Sequence, residues 1–84
     1  MYAVELLPEM REQLEDLSVS AVASFTEVLV MLEVGPWSGD SLNRERPENN
    51  MRSVAFGPER QGLVVYLILE DQRRVIPLSL TWIE

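Results

Sequence analysis

The chain contains no cysteine and no histidine among its 84 residues. A disulfide is therefore excluded, and a zinc or other transition-metal site would have to use carboxylates alone, which suit such ions poorly. Nucleophilic catalysis by Ser/His/Asp or Cys/His groups is excluded as well. Any proton transfer would fall to carboxylates, to Tyr2 or Tyr66, or to arginine, and we expect neither a metal nor another cofactor.

Lysine is also absent, so all seven basic residues are arginines, and the formal net charge is −7. This acidic balance argues against attraction of the whole molecule to nucleic acid, because such binding scales with the phosphates that basic side chains neutralise. The charge is unevenly distributed, since residues 1–43 contain eight acidic residues and one arginine, whereas residues 44–84 contain six of each. A local basic site in the C-terminal half is therefore compatible with the composition.

The sequence has no apolar run of the roughly 18 residues that a membrane span requires, and no signal-peptide pattern at its start. We therefore expect a cytoplasmic protein without a membrane partner, forming a single domain over residues 1–84. A core this small often needs a disulfide, a metal or a partner for stability. Because the first two are excluded, a partner is the favoured stabiliser.

The first half of the sequence predicts one short strand and two helices. Residues 2–7 are rich in strand formers, and Pro8 suits the first position of a helix. The first helix has an apolar stripe with helical spacing, formed by Met10, Leu14 and Leu17. Ser18 or Ser20 can cap the second helix, which ends at Gly35-Pro36. Its stripe consists of Ala21, Phe25, Val28, Leu29 and Leu32.

The last third of the sequence predicts a three-strand meander over residues 51–57, 62–71 and 73–82, with turns at 57–62 and 70–72. Residues 35–50 form the loop that leads from the helices to the meander, and we expect Trp37 to anchor it. The predicted fold is α+β, with the order β-α-α-β-β-β: a two-helix hairpin packed on one face of a four-stranded antiparallel-type sheet.

Strand alternation predicts which side chains face the helices. The predicted inward set is Met51, Ser53, Ala55, Val64, Tyr66, Ile68, Ile76, Leu78, Leu80 and Trp82. The other face then has Arg52, Val54, Phe56, Leu63, Val65, Leu67, Leu69, Val75, Pro77, Ser79 and Thr81. Since this second face is mostly apolar, it predicts a dimer or a bound partner, unless the strand parity is misassigned or the sheet curves closed. Pro77 predicts an irregularity or an outer strand.

The order of elements resembles that of the RelE/ParE toxin superfamily of type II toxin–antitoxin systems. The motifs that carry the resemblance are Met-Arg at 51–52, Phe-Gly at 56–57, Val-Val-Tyr at 64–66 and Glu-Asp at 70–71. The resemblance covers nearly the whole chain. It implies a protein neutralised by a cognate antitoxin that wraps around it, and an activity either as a ribosome-dependent mRNA endonuclease (an mRNA interferase, RelE type) or as a gyrase inhibitor (ParE type).

In RelE-type cleavage an RNA 2′-hydroxyl attacks the adjacent phosphate while cationic residues stabilise the developing charge, without a metal. The resemblance places Arg52 at a basic position of the family and implies the ribosome and mRNA as partners. Arg60 and Arg73, which lie at predicted turns, are candidates to assist Arg52 from outside the family's positions. Other basic positions are replaced, by Val54 and by Leu63. The alternative is a catalytically degenerate interaction module, a homodimer or an antitoxin-binding protein, with Phe56, Val65 and Leu67 in the interface.

Overall fold

The computed structural model describes residues 1–83, so Glu84, the last residue of the predicted domain, lies outside the described residues. Within this range the chain forms two helices, five strands and short 3-10 turns at Pro36–Ser38 and Glu70–Gln72. In chain order the helices and strands are β1 (Ala3–Val4), α1 (Pro8–Glu15), α2 (Val19–Val34), β2 (Asp40–Ser41), β3 (Met51–Phe56), β4 (Gly62–Leu69) and β5 (Arg74–Trp82).

The strands form one mixed sheet in the order β1-β5-β4-β3-β2. The strand β1 is parallel to β5, and all other neighbours are antiparallel. The predicted sheet had four strands. The fifth strand, β2, exists because Asp40 and Ser41 of the predicted loop pair with Ser53 and Arg52 of β3. The predicted α+β class, with two helices on one face of the sheet, is confirmed.

Both helices begin where the sequence predicted, but α1 ends at Glu15, so that Leu17 of the predicted stripe lies beyond it. Pro8 is the first residue of α1, and the Ser18 hydroxyl caps α2 by accepting a hydrogen bond of 3.2 Å from the Ala21 backbone N–H. The helix α2 ends immediately before Gly35. The side chains that the two helices bury against the sheet are Met10, Ala21, Phe25, Val28 and Leu32.

The predicted orientation of β4 is confirmed, but that of β3 was wrong. Val64, Tyr66 and Ile68 of β4 are fully buried on the helix side of the sheet. Their neighbours on β3 are even-numbered residues, because Arg52 pairs with Tyr66 and Phe56 with Gly62. Arg52 and Phe56 are therefore buried on the side of the sheet that faces the helices, while the odd-numbered residues of β3 face away from them. The prediction erred by one residue, which reverses the face of every side chain in a strand.

A β-bulge changes the alternation within β5. Val65 pairs with Ser79, but Tyr66 pairs with Pro77, so that Leu78 is an extra residue in the ladder. Val75 and Pro77 are consequently buried before the bulge, and Leu80 is buried after it. The irregularity predicted from Pro77 is confirmed. The predicted inward orientation was right for Leu80 and wrong for the preceding half of the strand, where Ile76 and Leu78 were placed inward and Val75 and Pro77 outward.

The two hairpins of the meander place their turns at opposite ends of β4. Residues 57–61 connect β3 to β4 at one end, and residues 70–73 connect β4 to β5 at the other. With eight residues in β4 at about 3.3 Å each, the turns lie roughly 26 Å apart. Among the helices that this part of the chain forms, none is long and apolar enough to cross a membrane.

Candidate functional site

Arg52 is a buried charged side chain, with 8% of its surface exposed. Its Nε donates a hydrogen bond to the Asn49 carbonyl oxygen at 3.1 Å. One terminal nitrogen donates to the carbonyl oxygens of Trp37 at 3.2 Å and Gly39 at 2.7 Å, and the other donates to the Pro47 carbonyl oxygen. The guanidinium carbon also lies 4.8 Å from the centroid of the Trp37 ring. Arg52 therefore fastens the loop between α2 and β3 to the sheet.

This geometry differs from the predicted position of Arg52 on the outer face of the sheet. A group that stabilises a phosphate in a transition state must present its N–H donors to the substrate. The donors of Arg52 point instead at four backbone carbonyl oxygens of the loop, which would be left without partners if the side chain turned outward. The outward orientation was wrong, and the structure gives Arg52 a role in holding the loop.

Glu70 is the centre of a second polar cluster, at the turn between β4 and β5. Its Oε1 accepts hydrogen bonds from the Tyr2 hydroxyl at 2.6 Å and from the Trp37 indole nitrogen at 2.7 Å. Its Oε2 forms an ion pair of 3.3 Å with Arg73. The Arg73 guanidinium lies over the Tyr2 ring, 4.4 Å from its centroid. Trp37 thus joins this cluster to Arg52 and anchors the loop, as the sequence predicted.

The hydrogen bonds of this cluster change the acidity of its members. Those from Tyr2 and Trp37 lower the pKa of the Glu70 carboxyl, because they stabilise its charged form, and Arg73 lowers it further. The same hydrogen bond to Glu70 raises the pKa of the Tyr2 hydroxyl, since ionised Tyr2 has no proton to donate to the carboxylate. Glu70 is consequently an ionised acceptor near neutral pH, unsuited to donating a proton there.

The structure does not bring the three predicted catalytic arginines together. Arg60 lies in the turn between β3 and β4, and Arg73 lies in the turn at the opposite end of β4. Both are exposed, and both have left-handed backbone conformations, with φ of 58° and 52°. Arg73 is held by Glu70 and Tyr2, whereas Arg52 is buried on the helix side of the sheet, beneath the loop between α2 and β3. A single phosphate cannot contact Arg60 and Arg73 across roughly 26 Å.

The sheet has an apolar face directed away from the helices. Val65 and Leu67 lie on it as predicted, at the middle of the central strand β4, and both are partly exposed. Their neighbours on this face are Met51, Ser53, Ala55, Leu63, Leu69 and Ile76. Asp40 and Arg74 lie toward opposite edges of this face, opposite Ser53 and Leu69 respectively. We call this surface the outer sheet face.

Phe56, the third residue predicted to bind a partner, lies in the core instead. Its ring packs against Phe25 of α2 with 5.8 Å between centroids, and against Trp82 of β5 with 5.6 Å. Only 6% of its surface is exposed. The predicted outward orientation of Phe56 was therefore wrong, for the same reason of strand parity as that of Arg52.

An open cleft of about 290 Å³ lies beside the Glu70 cluster, lined by Trp37, Asn50, Ile68, Leu69, Glu70, Asp71 and Gln72. Asn50 closes one side of it, since its side-chain nitrogen donates to the Ile68 carbonyl oxygen at 3.0 Å. Between residues 1 and 83, no three or more acidic residues are grouped so that they could hold a metal ion.

Tyr2, Trp37 and Glu70 form a cluster that no motif in the sequence assigned to a site. The sequence contained partial signals for it: a tryptophan in a polar loop, and a glutamate directly after an apolar strand. Their convergence depends on β1 lying beside β5, because this pairing brings the N-terminus to the turn at residues 70–73. A strand of two residues gives too weak a pattern to predict its neighbour.

No protein-family model and no curated protein sequence matches this chain. Solved structures do match it. The isolated E. coli RelE toxin superposes with a TM-score of 0.77 at 13% sequence identity, covering 100% of this chain and 86% of RelE. The intact E. coli RelBE toxin–antitoxin complex gives a TM-score of 0.78 at 12% identity, with 100% and 99% coverage.

A third structure contains a mutant of E. coli RelE in complex with a peptide of the antitoxin RelBc. It matches with a TM-score of 0.76 at 14% identity, covering 99% of this chain and 84% of the other. The likeness extends over the helices and the whole sheet, and its low sequence identity makes it a likeness of fold. The chain therefore has the fold of the RelE toxins.

Proposed function

We propose that this chain is the toxin component of a type II toxin–antitoxin system, acts in the cytoplasm and is bound by a cognate antitoxin. The observation that carries the proposal is the full-length likeness to RelE, including RelE in two complexes with its antitoxin. Fold alone does not assign function. A second, independent support is the outer sheet face, because large apolar surfaces on small proteins commonly mark a partner site.

The first candidate activity is ribosome-dependent cleavage of mRNA, as in RelE. In this reaction the RNA 2′-oxygen forms a bond to the adjacent phosphorus, and the bond from phosphorus to the 5′-oxygen of the next nucleotide breaks. The 2′-hydroxyl proton leaves, and the 5′-oxygen gains a proton. Cations lower the barrier by neutralising charge on the phosphate oxygens. Of the three predicted arginines, Arg60 and Arg73 are exposed enough to approach RNA.

A second candidate is a RelE-like component that binds its partners without cleaving RNA. One observation favours it: the guanidinium of Arg52 is committed to four carbonyl oxygens of its own chain. The net charge of −7 adds to this argument, since the protein as a whole repels the RNA backbone. Under this proposal Val65 and Leu67 contact the antitoxin or a second copy of the chain.

Bacterial cell-free translation separates the two candidates. The purified protein is added to the reaction, and the 5′ ends of the mRNA are mapped by primer extension. Cuts within ribosome-bound codons that disappear in Arg73→Ala or Arg60→Ala would support cleavage. Arg52→Ala is a poor test by itself, because it removes the support of the loop. Translation that continues with intact mRNA would reject cleavage and leave the binding component.

The toxin assignment has its own test, which does not require RNA cleavage. Expression of the chain from an inducible promoter should arrest bacterial growth, and coexpression of the neighbouring open reading frame should restore it. A matched control is the Gly62→Ala variant, in which the fold itself is expected to be weakened. Normal growth at a high level of soluble, folded protein would contradict the assignment.

A further inference from the structure

The solvent side of α2 has a row of exposed apolar side chains. Val19, Val30 and Val34 expose 88%, 58% and 66% of their surfaces, and Val22 is exposed beside them. At 100° per residue Val19, Val30 and Val34, with the exposed Ala23 and Thr26, fall within one sector of about 80° on the side of α2 opposite the buried Ala21, and Val22 lies about 40° beyond it. The stripe runs the whole length of α2, about 22 Å at 1.5 Å per residue. We call it the α2 stripe.

An α-helix with apolar side chains on two opposite sides is typically buried on both of them. The buried side of α2 packs on the sheet through Ala21, Phe25, Val28 and Leu32. Its other side is exposed in the part of the chain that the structure describes, and α1 packs mainly along β5. The helix also has valines at exposed positions, although residues with higher helix propensity would stabilise a solvent-exposed helix surface more. The composition of α2 thus fits a helix covered on both sides.

The charges around the α2 stripe indicate what covers it. The charged side chains of α2 are Glu27 and Glu33, which border this sector on its two sides, and Glu33 separates it from Val22. The helix α1, which precedes α2 in the chain, has the exposed acidic residues Glu9, Glu12 and Glu15, and residues 1–43 contain a single arginine. A second copy of this chain would therefore bring like charges together along the contact. An anionic membrane surface would be repelled in the same way.

We propose that the α2 stripe binds an amphipathic helix of another protein, whose apolar side packs on the valines and whose flanks carry lysine or arginine. Helices with a heptad-like apolar seam pack in this way, and charged flanking residues select the partner. This surface lies on the opposite side of the molecule from the outer sheet face. The proposal rests on the chemistry of α2 alone and does not depend on the proposed toxin activity.

The test uses a labelled synthetic peptide as the probe. The peptide is helical, with leucines at alternating third and fourth positions and lysines on both sides of them, and its control has glutamates in place of the lysines. Fluorescence anisotropy should show binding of the lysine peptide, weakening as salt is added, and none of the glutamate peptide. Val30→Glu should weaken binding about tenfold or more, because an apolar contact is lost.

Matched variants keep the proposal falsifiable. Leu63→Glu adds the same charge to the outer sheet face and should leave peptide binding unchanged, while circular dichroism verifies that both variants fold. The double variant Glu27→Lys with Glu33→Lys should reverse the preference and bind the glutamate peptide. Equal binding by Val30→Glu and the unchanged protein would overturn the proposal. A dimer in light scattering that Val30→Glu abolishes, or binding to anionic vesicles in place of the peptide, would also overturn it.

Discussion

Arg52 lies with its guanidinium over the ring of Trp37, 4.8 Å from the centroid, and donates a hydrogen bond of 3.2 Å to the carbonyl oxygen of the same residue. Trp37 in turn donates its indole N–H to Glu70. A strand, a loop and a turn are joined through these three side chains. The structural importance of Arg52 follows from this position, since its removal releases the loop at several points at once.

Arg52→Ala should lower the free energy of unfolding by about 2–4 kcal/mol, because one buried and three partly buried carbonyl oxygens lose their donor. Guanidinium denaturation followed by tryptophan fluorescence measures this loss. Arg52→Lys should recover only part of it, since an ammonium group cannot reproduce the fork of a guanidinium. Arg44→Ala, at an exposed position of the same loop, is the control and should change stability by no more than about 0.5 kcal/mol. Equal stability of the two alanine variants would contradict the assigned role.

Gly62→Ala should destabilise the protein by about 1–3 kcal/mol through overpacking. A Cβ atom at this position would lie 2.6 Å from a carbon of the Phe56 ring, which is itself fixed between Phe25 and Trp82. Gly35→Ala provides the control, because nothing lies within 4 Å of its added Cβ and its φ of −152° is open to any residue. Thermal unfolding should separate the two variants. Similar melting temperatures would show that the Phe56 ring can move aside.

Ionisation of Tyr66 should lower the free energy of unfolding at alkaline pH. Its hydroxyl is buried and donates a hydrogen bond of 2.5 Å to the Pro36 carbonyl oxygen, and burial raises its pKa above the usual value of 10.0. Because the folded state holds this proton more tightly than the unfolded state, its contribution is complete below pH 10 and is lost as the pH rises further.

Tyr66→Phe is the matching variant for this prediction. This substitution should lower the free energy of unfolding by about 1–2 kcal/mol at neutral pH, since the Pro36 carbonyl oxygen loses its donor. Its stability should also fall less than that of the unchanged protein between pH 9 and 11, as measured by urea denaturation across the pH series. Parallel pH profiles for the two proteins would disprove the coupling.

The helices and the β4 strand could be predicted from the sequence because their apolar patterns are long and their caps are explicit, as with Pro8, Ser18 and Gly35. The orientation of β3 could not. Its residues Met51, Val54 and Ala55 are apolar enough to suit either face, and the polar Arg52 suggested an outward position. A buried arginine is favourable only where a loop supplies carbonyl acceptors, and the course of that loop is a tertiary property.

The site proved harder to predict than the fold for a related reason. Arg52, Arg60 and Arg73 all lie in the last third of the sequence. The meander nevertheless places the turns that contain Arg60 and Arg73 at opposite ends of β4. The bulge at Leu78 also limited the prediction of which β5 side chains face the helices. Pro77 indicated an irregularity, but it did not show at which residue the alternation changes. Motif positions therefore identified candidate residues, whereas their mutual distances required the register of every strand.

Protonation of Glu70 at acidic pH should change the hydrogen bond of the Trp37 indole N–H. Hydrogen bonds from Tyr2 and Trp37 hold the pKa of the Glu70 carboxyl below its usual value of 4.5. Because this pKa is lowered in the folded state, the stabilising effect is present above the unfolded value and is lost as the pH falls through the folded one. The Trp37 indole N–H resonance should therefore shift below pH 4.5 in an NMR titration. Glu70→Gln should remove the shift, and a shift retained in that variant would assign it to another group.

Leu67→Glu and Phe56→Ala should have opposite consequences, although the sequence placed both residues on one surface. Leu67 lies on the outer sheet face, so its replacement should leave the fold intact and abolish copurification with the coexpressed antitoxin candidate. Phe56 lies in the core, so its truncation should cost about 3–5 kcal/mol of stability. Antitoxin binding that survives Leu67→Glu, in a protein shown to be folded by circular dichroism, would remove the centre of the outer sheet face from the proposed interface. Loss of binding together with an unchanged melting temperature would place the antitoxin on that face.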